Sequence, residues 1–327
     1  MPSDMLEFEE PIVALQREID ALSILPRTDD HEREIDRLNR RLAAVRTEIY
    51  ANLTPWQRVQ LARHPNRPKA LDYIRRLFTD FDEIHGDRHF ADDHAIVTGM
   101  ARYRGAPVLV VGHQKGGADT KEKIYRNFGY AKPEGYRKAI RTMRIAQKFF
   151  RPIVVFVDTP AAFPGIESEE RGVAEAIAYN LREMATLEVP VVILITGEGG
   201  SGGALGIAIG DRVLIQEYAI YSVIPPEGCA AILYRDSGKK VEATEALKIT
   251  APDMVRFGIV DGVVPEPPGG AHNDHAAAAD LLDSALSQTL AAIAGDPVET
   301  RLAKRYEKFR AMGQLGIDSA EDPAATR

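Results

Sequence analysis

The chain has 327 residues, of which 45% are hydrophobic and 27% charged, and its formal net charge is −7 at pH 7. These values are ordinary for a globular protein, and the acidic balance argues against a protein that grips nucleic acid over its whole surface. The single cysteine, Cys229, excludes a disulfide within the chain and a cysteine-based zinc site built from this chain alone.

Nothing in the sequence predicts a membrane segment. No run of residues approaches the roughly 18 consecutive apolar positions of a transmembrane helix, and the start of the sequence lacks the basic and apolar regions of a signal peptide. We therefore expect a cytoplasmic protein without a membrane partner.

Residues 1–52 predict a helical hairpin. Apolar residues recur at helical spacing in "PIVALQREIDALSIL" and again in "EIDRLNRRLAAV". Pro26 stops the first helix, and Thr28 is a suitable N-cap for the second. We expect an antiparallel arm whose apolar stripe packs on the main body or on a partner.

Residues 53–295 alternate between strand-like and helix-like segments. "AIVTGMARYRGAPVLVVGHQ" predicts a strand pair that turns at Gly105. Further strands are predicted by "PIVVFVD", "VPVVILIT", "RVLIQEY" and "IVDGVVPEP". Continuous apolar strands separated by helices are typical of an α/β domain whose sheet is covered on both faces.

The helices of this region have clear start signals. Pro133 opens "PEGYRKAIRTMRIAQKFF", and acidic residues open "SEERGVAEAIAYNLREMATLE", as the helix dipole favours. Shorter helical segments follow, and a long helix is predicted over "DHAAAADLLDSALSQTLAAIAG". Residues 296–327 predict a basic helical tail whose last ten or so residues are disordered.

The stretch "GEGGSGGALGIAIGD", residues 197–211, allows several interpretations. Gly197, Gly199 and Gly202 match the G-x-G-x-x-G pattern of dinucleotide-binding proteins, and Glu217 lies about where a ribose-binding acid belongs. The helix predicted from Ser201 to Gly210 is short and rich in glycine, unlike the helix of that pattern.

The same stretch matches the G-x-S-x-G turn of serine hydrolases. Ser201 would be the nucleophile, and Asp261 and His272 follow in the order that such enzymes use. However, "GEGG" separates the predicted strand from Ser201, and His272 lies in a segment that we expect to be mobile.

Two interpretations need no catalytic side chain. The first N–H groups at the start of a helix lack partners within the helix, and they can stabilise an oxyanion. Alternatively, the glycines permit tight packing between helix and strand. The pattern of this stretch alone does not decide among the four interpretations.

The stretch "HGDRHFADDH", residues 85–94, contains several histidines and aspartates, which are residue types that bind metal ions. Such polar runs more often form loops and caps, because a metal needs ligands that converge on one point. We expect no metal there.

Seven segments together closely resemble the carboxyltransferase alpha subunit of multi-subunit acetyl-CoA carboxylase. They are "LTPWQRVQLARHPNRP", "GHQKG", "RNFGYAKPEGYRKAIRTMRIAQKF", "DTPAAFPGIESEERG", "ITGEGGSGGALGI", "YSVIPPEGCAAIL" and "GIVDGVVPEPPGGAH". The likeness runs in the same order from about Leu6 to Leu290. It implies a crotonase/ClpP-like ββα spiral in place of a Rossmann sheet.

The resemblance also implies an activity and partners. Carboxybiotin on a carrier protein would give its carboxyl group to acetyl-CoA, yielding malonyl-CoA, the first committed step of fatty acid synthesis. A beta subunit carrying a four-cysteine zinc site would complete the active site, in an α2β2 assembly. No cofactor or metal is expected on this chain. A non-catalytic interaction subunit is the alternative.

The resemblance assigns site residues. The backbone amides of Gly202, Gly203 and Ala204 correspond to the oxyanion hole on the biotin side. Substrate-binding positions are expected at Gly116, Gly165, Glu227 and Gly228, together with Lys115 and Arg137.

Lys115 and Arg137 belong to a basic segment. Residues 113–151 hold eleven Lys and Arg against three acids. Such a segment is either a solvated helix face or a seat for coenzyme A phosphates or the partner subunit. We expect no nucleic-acid binding, because no recognition motif accompanies the charge.

Three positions depart from the family pattern. Ala161 and Phe163 replace glycine and tyrosine, and Pro225 replaces serine. Ala161 restricts a backbone that glycine leaves free, so the geometry of that loop is in question.

Overall fold

The computed structural model describes residues 5–117 and 119–313. Its strands are β1 (Phe78–Glu83), β2 (Ile96–Tyr103), β3 (Ala106–His113), β4 (Ile153–Thr159), β5 (Val191–Gly200), β6 (Arg212–Gln216), β7 (Ile220–Ser222) and β8 (Gly262–Val264). Its helices are α1 (Glu10–Ser23), α2 (Asp29–Ala51), α3 (Pro55–Ala62), α4 (Ala70–Leu77), α5 (Thr120–Tyr125), α6 (Pro133–Lys148), α7 (Ile166–Glu170), α8 (Val173–Ala185), α9 (Ser201–Leu205), α10 (Pro226–Leu233), α11 (Lys240–Leu247), α12 (Ala251–Arg256), α13 (His275–Ala294) and α14 (Val298–Ala311).

The two predicted N-terminal helices are present as α1 and α2. Thr28 caps α2, its side-chain oxygen accepting the His31 N–H at 3.3 Å. The apolar stripes of the two helices face each other, and they also contact Leu61 and Tyr218 of the rest of the chain. The arm is therefore packed on the main body.

The eight strands form one sheet. Seven of them lie side by side in the order β1-β2-β3-β4-β5-β6-β8, and β7 pairs with β5 outside this order. The pairs from β1 to β3 are antiparallel, and those from β3 onward are parallel. The predicted turn between β2 and β3 is confirmed, with Arg104 and Gly105 at φ 49° and 81°. The far end of β5 pairs with β7 instead of β6.

Both faces of this sheet are covered, as β4 illustrates. Val155 and Val157 pack into a core shared with α6 and α8, whereas Val154 and Phe156 pack into a core shared with α4 and α13. Successive side chains of a strand point to opposite faces, so a strand with two covered faces needs an unbroken apolar run. The prediction of a doubly covered α/β sheet is confirmed.

The strand order excludes the Rossmann arrangement. A doubly wound sheet reverses its strand order, and the nucleotide binds in the crevice at that reversal. Here the parallel strands follow one another from β3 to β8 without reversal. The order agrees with the expected spiral.

Three predicted boundaries were wrong. β5 continues through the glycines to Gly200, and α9 ends at Leu205. The helix predicted after Ser168 is divided into α7 and α8, because Gly172 has φ 75°. Helices α3, α4 and α5 and strands β1 and β7 were not predicted.

The C-terminal tail contains a docked helix, α14. The buried guanidinium of Arg305 donates to the carbonyl oxygens of Met184 and Leu187 and to the carboxylate of Asp211, at 2.8–2.9 Å. The predicted disorder at the end of the tail lies outside the described residues, and the domain boundaries at residues 52 and 295 stay predictions. Within the described ranges, no helix has the length and apolar character that crossing a bilayer requires.

Candidate active site

The glycine turn starts at the end of β5, and α9 follows immediately with Ser201. Ser201 has φ 52°, a left-handed conformation that residues other than glycine adopt mainly in sharp turns. The expectation that four residues separate the strand from Ser201 was therefore wrong.

Most of these glycines are required by close packing. A Cβ atom on Gly200 would lie 1.9 Å from a backbone carbonyl oxygen, and one on Gly206 would lie 2.8 Å from the ring of Tyr136. Gly202 differs, because its Cβ would come no closer than 3.7 Å to Ile177. The packing interpretation is supported for the first two glycines and does not account for Gly202.

A cavity of about 390 Å³ opens beside the turn. Ser201 and Gly202 form part of its wall, and Tyr221 of β7 and Phe309 of α14 form other parts. The rest of the lining is almost wholly aliphatic. The backbone at the start of α9 therefore borders an apolar space, where electrostatic interactions are stronger than in water.

A chain of ion pairs holds the strand that leads into the turn. Lys115 Nζ lies 2.7 Å from both Asp158 Oδ1 and Glu198 Oε2. Glu198 also pairs with Arg63 at 2.6 Å, and Arg63 pairs with Glu227 at 2.7 Å. The predicted site residues Lys115 and Glu227 are thus joined through two residues that the sequence analysis did not single out.

The network shifts the pKa values of its members. Burial alone would raise the pKa of Asp158, but the ammonium groups of Lys115 and Lys69 more than offset this and lower it. Burial lowers the pKa of Lys69 to about 8 against the opposing pull of Asp158. The carboxylates of this network are therefore ionised at neutral pH.

Arg137 lies in a separate cluster. Its guanidinium contacts Asp87 at 2.9 Å and Glu134 at 3.0 Å, and it donates to the carbonyl oxygen of Arg171 at 3.0 Å. Lys138 is fully buried and bonds Asp92 at 2.6 Å. Several charges of the basic segment are thus neutralised by internal carboxylates, so it is not simply a solvated face.

The remaining predicted glycines shape loops. Gly116 has φ 84° and packs against the backbone of Lys123. A Cβ atom on Gly165 would lie 2.3 Å from the ring of Phe163. Gly228 lies in α10, next to Glu227.

The serine-hydrolase partners do not assemble. The carboxylate of Asp261 accepts the Val213 N–H at 2.7 Å and contacts Lys308 at 2.8 Å. His272 is buried, and its Nε2 lies 3.2 Å from Glu9 Oε1. The prediction that His272 lies in a mobile loop was wrong, and neither residue is paired with Ser201.

Glu217, the acid that the dinucleotide interpretation needs to bind a ribose, is used inside the fold. Glu217 Oε2 accepts the backbone N–H of Glu266 at 3.1 Å. The carboxylate therefore braces the end of β6 against the segment after β8.

The loop at residues 85–94 is held by its own aspartates. Asp87 Oδ1 accepts the backbone N–H groups of His89, Phe90 and Ala91 at 2.7–3.1 Å. Asp93 accepts two more. This arrangement supports the interpretation of the run as loop caps.

Sequence comparison identifies the family. The family model described as "Acetyl co-enzyme A carboxylase carboxyltransferase-like" matches residues 5–313. The chain is also 55% identical over 311 residues to the acetyl-coenzyme A carboxylase carboxyl transferase subunit alpha of Geobacter metallireducens, covering 95% of this chain and 98% of that protein. The chain belongs to the acetyl-CoA carboxylase carboxyltransferase alpha subunit family. The predicted resemblance is confirmed, and the family is one of transferases.

Solved structures confirm the crotonase-like fold. Transcarboxylase 12S superposes with a TM-score of 0.57 at 20% identity, over 70% of this chain and 42% of that longer chain. A chain of the MdcD–MdcE heterodimer of Pseudomonas malonate decarboxylase superposes with a TM-score of 0.54 at 16% identity. The match covers 69% of this chain and 91% of that chain.

The departures from the family pattern are accommodated locally. Ala161 is not among the described residues with positive φ, so alanine causes no left-handed strain there. The ring of Phe163 lies 5.1 Å from Lys132 Nζ, a cation–π contact. Pro225 and Pro226 open α10, where fixed φ values suit a helix start.

Asp158, Glu198 and Arg63 are the functional candidates that sequence reasoning missed. Asp158 ends a buried strand, and Glu198 lies in a run of glycines. A charged residue at the carboxyl end of a buried parallel strand is the signal that points to Asp158 and Glu198, because sites of open α/β sheets gather at that edge. Arg63 follows α3, and no such signal marks it.

Proposed function

We propose that this chain is the alpha half of a carboxyltransferase that moves the carboxyl group of carboxybiotin, presented on a carrier protein, to acetyl-CoA. The product would be malonyl-CoA for fatty acid synthesis. Family membership supports this proposal, as do the solved structures of transcarboxylase 12S with methylmalonyl-coenzyme A bound and of a Pseudomonas malonate decarboxylase in complex with coenzyme A. A beta subunit carrying the zinc would complete the site in an α2β2 assembly, so the chain would be active only with its partner.

The observation that carries the proposal is the position of Gly202 in the wall of the cavity. The first N–H groups of a helix have no partner within it. We assign the oxyanion hole for the biotin ureido oxygen to the amides of Gly202 and Gly203, with Ala204 as a further donor. Gly202 borders the cavity, and Gly203 and Ala204, which follow it in α9, are buried.

The chemistry needs no side-chain nucleophile. When the N–C bond of carboxybiotin breaks, carbon dioxide leaves and the electron pair spreads to the ureido oxygen. Backbone N–H groups stabilise this oxyanion, more strongly beside an apolar wall than in water. The biotin nitrogen then takes a proton from the acetyl methyl group, and the resulting enolate carbon forms a bond to the waiting carbon dioxide.

The ion-pair network would hold the turn in place. Glu198 donates its backbone N–H to Asp158 Oδ1 at 2.9 Å, so a displacement of Asp158 would move the strand before the turn. Lys115 and Glu227 would act by positioning. Gly116, Gly165 and Gly228 would keep the surrounding loops close.

A phosphate at Lys115 or Arg137 would have to displace two internal carboxylates at each residue. We therefore assign the phosphate contacts of coenzyme A to the outer part of the basic segment, where the side chain of Lys121 is exposed. The basic segment keeps its predicted electrostatic role, but its solvent-exposed side chains carry that role in place of Lys115 and Arg137.

A matched pair of glycine variants tests the oxyanion hole. Gly202→Ala adds a methyl group at the cavity wall without a close contact, and Gly295→Ala adds one in open space with ordinary φ. Each chain is combined with the beta subunit, and carboxyl transfer between malonyl-CoA and biotin is measured. We expect Gly202→Ala to lower kcat by about 10- to 100-fold, as for a displaced oxyanion donor, and Gly295→Ala to leave it unchanged.

Equal rates in the two variants would show that this turn is not the oxyanion hole. If the wild-type complex with its beta subunit transferred no carboxyl group, the chain would be a non-catalytic interaction subunit.

A further inference from the structure

We propose that Glu9, His64 and His272 form a binding site for one divalent transition-metal ion, with Zn²⁺ the best suited. Each residue offers one ligand atom, and these atoms all lie within 4.8 Å of one another. All three residues are buried, with 4–8% of their surface exposed. The site lies outside the proposed carboxyltransferase machinery.

The three ligands come from distant parts of the chain. Glu9 lies in the short turn before α1, His64 follows α3, and His272 lies between β8 and α13. One carboxylate oxygen and two imidazole nitrogens are a ligand set that zinc commonly takes in proteins. A bound ion would tie the N-terminal arm to the main body at a point where three segments meet.

The hydrogen bonding around His272 is incomplete in every protonation state. Its Nδ1 is buried and makes no hydrogen bond to the residues that the structure describes. If the proton sits on Nε2, the Nδ1 lone pair has no donor. If it sits on Nδ1, that N–H has no acceptor, and the Nε2 lone pair accepts from the side-chain amide of Asn273 at 3.1 Å while it faces Glu9 Oε1 at 3.2 Å. A metal ion would bring the Glu9 carboxylate and the Nε2 lone pair together without this contact between two acceptors.

The spacing suits coordination. A tetrahedral zinc with bonds of about 2.0–2.1 Å places its ligand atoms about 3.4 Å apart. The distance of 3.2 Å between Glu9 Oε1 and His272 Nε2 is close to this separation of ligand atoms. The Nδ1 of His64 accepts the Asn66 N–H at 3.2 Å, a contact that orients the ring.

Neighbouring groups would orient the ligands. The hydroxyl of Tyr50 donates to Glu9 Oε1 at 2.5 Å, which fixes the carboxylate. The ring of His64 lies 4.2 Å from the ring of His272, centroid to centroid. Such outer contacts hold metal ligands in place and are part of the affinity of a site.

Metal titration of the isolated full-length chain tests the site without zinc from a beta subunit. The chain is stripped with a chelator and titrated with Zn²⁺, and with Co²⁺ to read the absorption of a tetrahedral ion. We expect one ion per chain and a rise in the melting temperature, because the ion binds the folded state. Glu9→Gln and His272→Gln should each weaken binding by more than about 100-fold, beyond the usual effect of losing an outer contact.

His94→Gln is the matched control, because it also removes an imidazole near a carboxylate but lies in the loop at residues 85–94. It should bind Zn²⁺ like the wild type. No binding by the stripped wild-type chain, or equal binding by His272→Gln, would overturn the proposal and leave a hydrogen-bonded ion pair.

If the variants failed to fold, crystals of the wild type grown with Zn²⁺ would decide. An anomalous peak within about 2.3 Å of the three side chains supports the site, whereas a peak elsewhere or none refutes it.

Discussion

A Cβ atom on Gly203 would lie 2.3 Å from the backbone nitrogen of Ala162. Side-chain atoms do not approach a backbone this closely, so any larger residue at 203 must separate α9 from the segment at 161–162. We expect Gly203→Val to lower the free energy of unfolding by about 1–3 kcal/mol, the usual cost of overpacking, and to lower carboxyl transfer as well. Urea titration beside the transfer assay checks both effects.

Gly295→Ala serves as the control here too, because its Cβ would meet no atom within 4 Å. A Gly203→Val chain as stable as this control would contradict the packing. Loss of activity in Gly203→Val does not by itself locate the oxyanion hole, since displacement of the turn is enough to cause it.

Much of the fold could be predicted because local patterns agree with tertiary packing. The two-residue turn at Gly105, the proline at the start of α6 and the period of the N-terminal helices each have a direct physical cause in the sequence. Those elements were found where they were expected.

The end of β5 could not be predicted in the same way. A glycine run has low strand propensity, yet here it pairs with β7, and neighbouring backbone and side chains leave no room for Cβ atoms on Gly199 and Gly200. These contacts come from segments distant in sequence. The glycine pattern marked the turn as a candidate site of several kinds, and only the family resemblance chose among them.

The roles of the basic residues could not be predicted either. The partners of Lys115 are Asp158 and Glu198, and a local count of charge does not reveal acids so distant in sequence. A basic segment can therefore be largely neutralised in the fold.

Ser201→Ala should leave carboxyl transfer within about tenfold of the wild type. The left-handed φ of Ser201 is a property of the backbone, and an alanine must adopt the same angle, so the change removes only the hydroxyl. A nucleophile would lose several orders of magnitude. The transfer assay is paired with fluorophosphonate labelling, and a labelled Ser201 would favour the hydrolase interpretation.

Lys115→Met should destabilise the fold by about 3–5 kcal/mol, because it leaves Asp158 and Glu198 buried without their shared cation. Lys115→Met combined with Glu198→Gln should recover part of this loss, because Glu198, which keeps only Arg63 as a cationic partner in the single variant, no longer carries a charge. Urea titration of both variants measures the difference. A Lys115→Met chain as stable as the wild type would show that the pairing contributes nothing to stability.

Arg305→Ala should weaken the docking of α14 on the end of α8. The side chain of Arg305 is 1% exposed and bonds carbonyl groups at the end of α8 and just after it, so its loss leaves those oxygens and Asp211 Oδ1 without this donor. We expect a loss of about 3–5 kcal/mol in stability. Tyr306→Ala is the control, because that side chain is exposed, and it should have little effect.

The stability of the fold should depend on His113 between pH 6.5 and pH 5. Burial lowers the pKa of this fully buried histidine from 6.5 to about 3. The unfolded chain accepts the proton near pH 6.5 and the folded chain does not, so the unfolded state binds more protons throughout this window. The free energy of unfolding therefore rises with pH, and it falls by about 1–2 kcal/mol as the pH drops from 6.5 to 5.

His113→Asn should flatten this part of the stability profile, because asparagine does not titrate. His89→Asn, at an exposed position, should keep the slope of the wild type. Urea midpoints at four pH values between 5 and 7 measure both. A His113→Asn profile that runs parallel to the wild type would mean that the folded protein protonates this histidine as readily as the unfolded chain does.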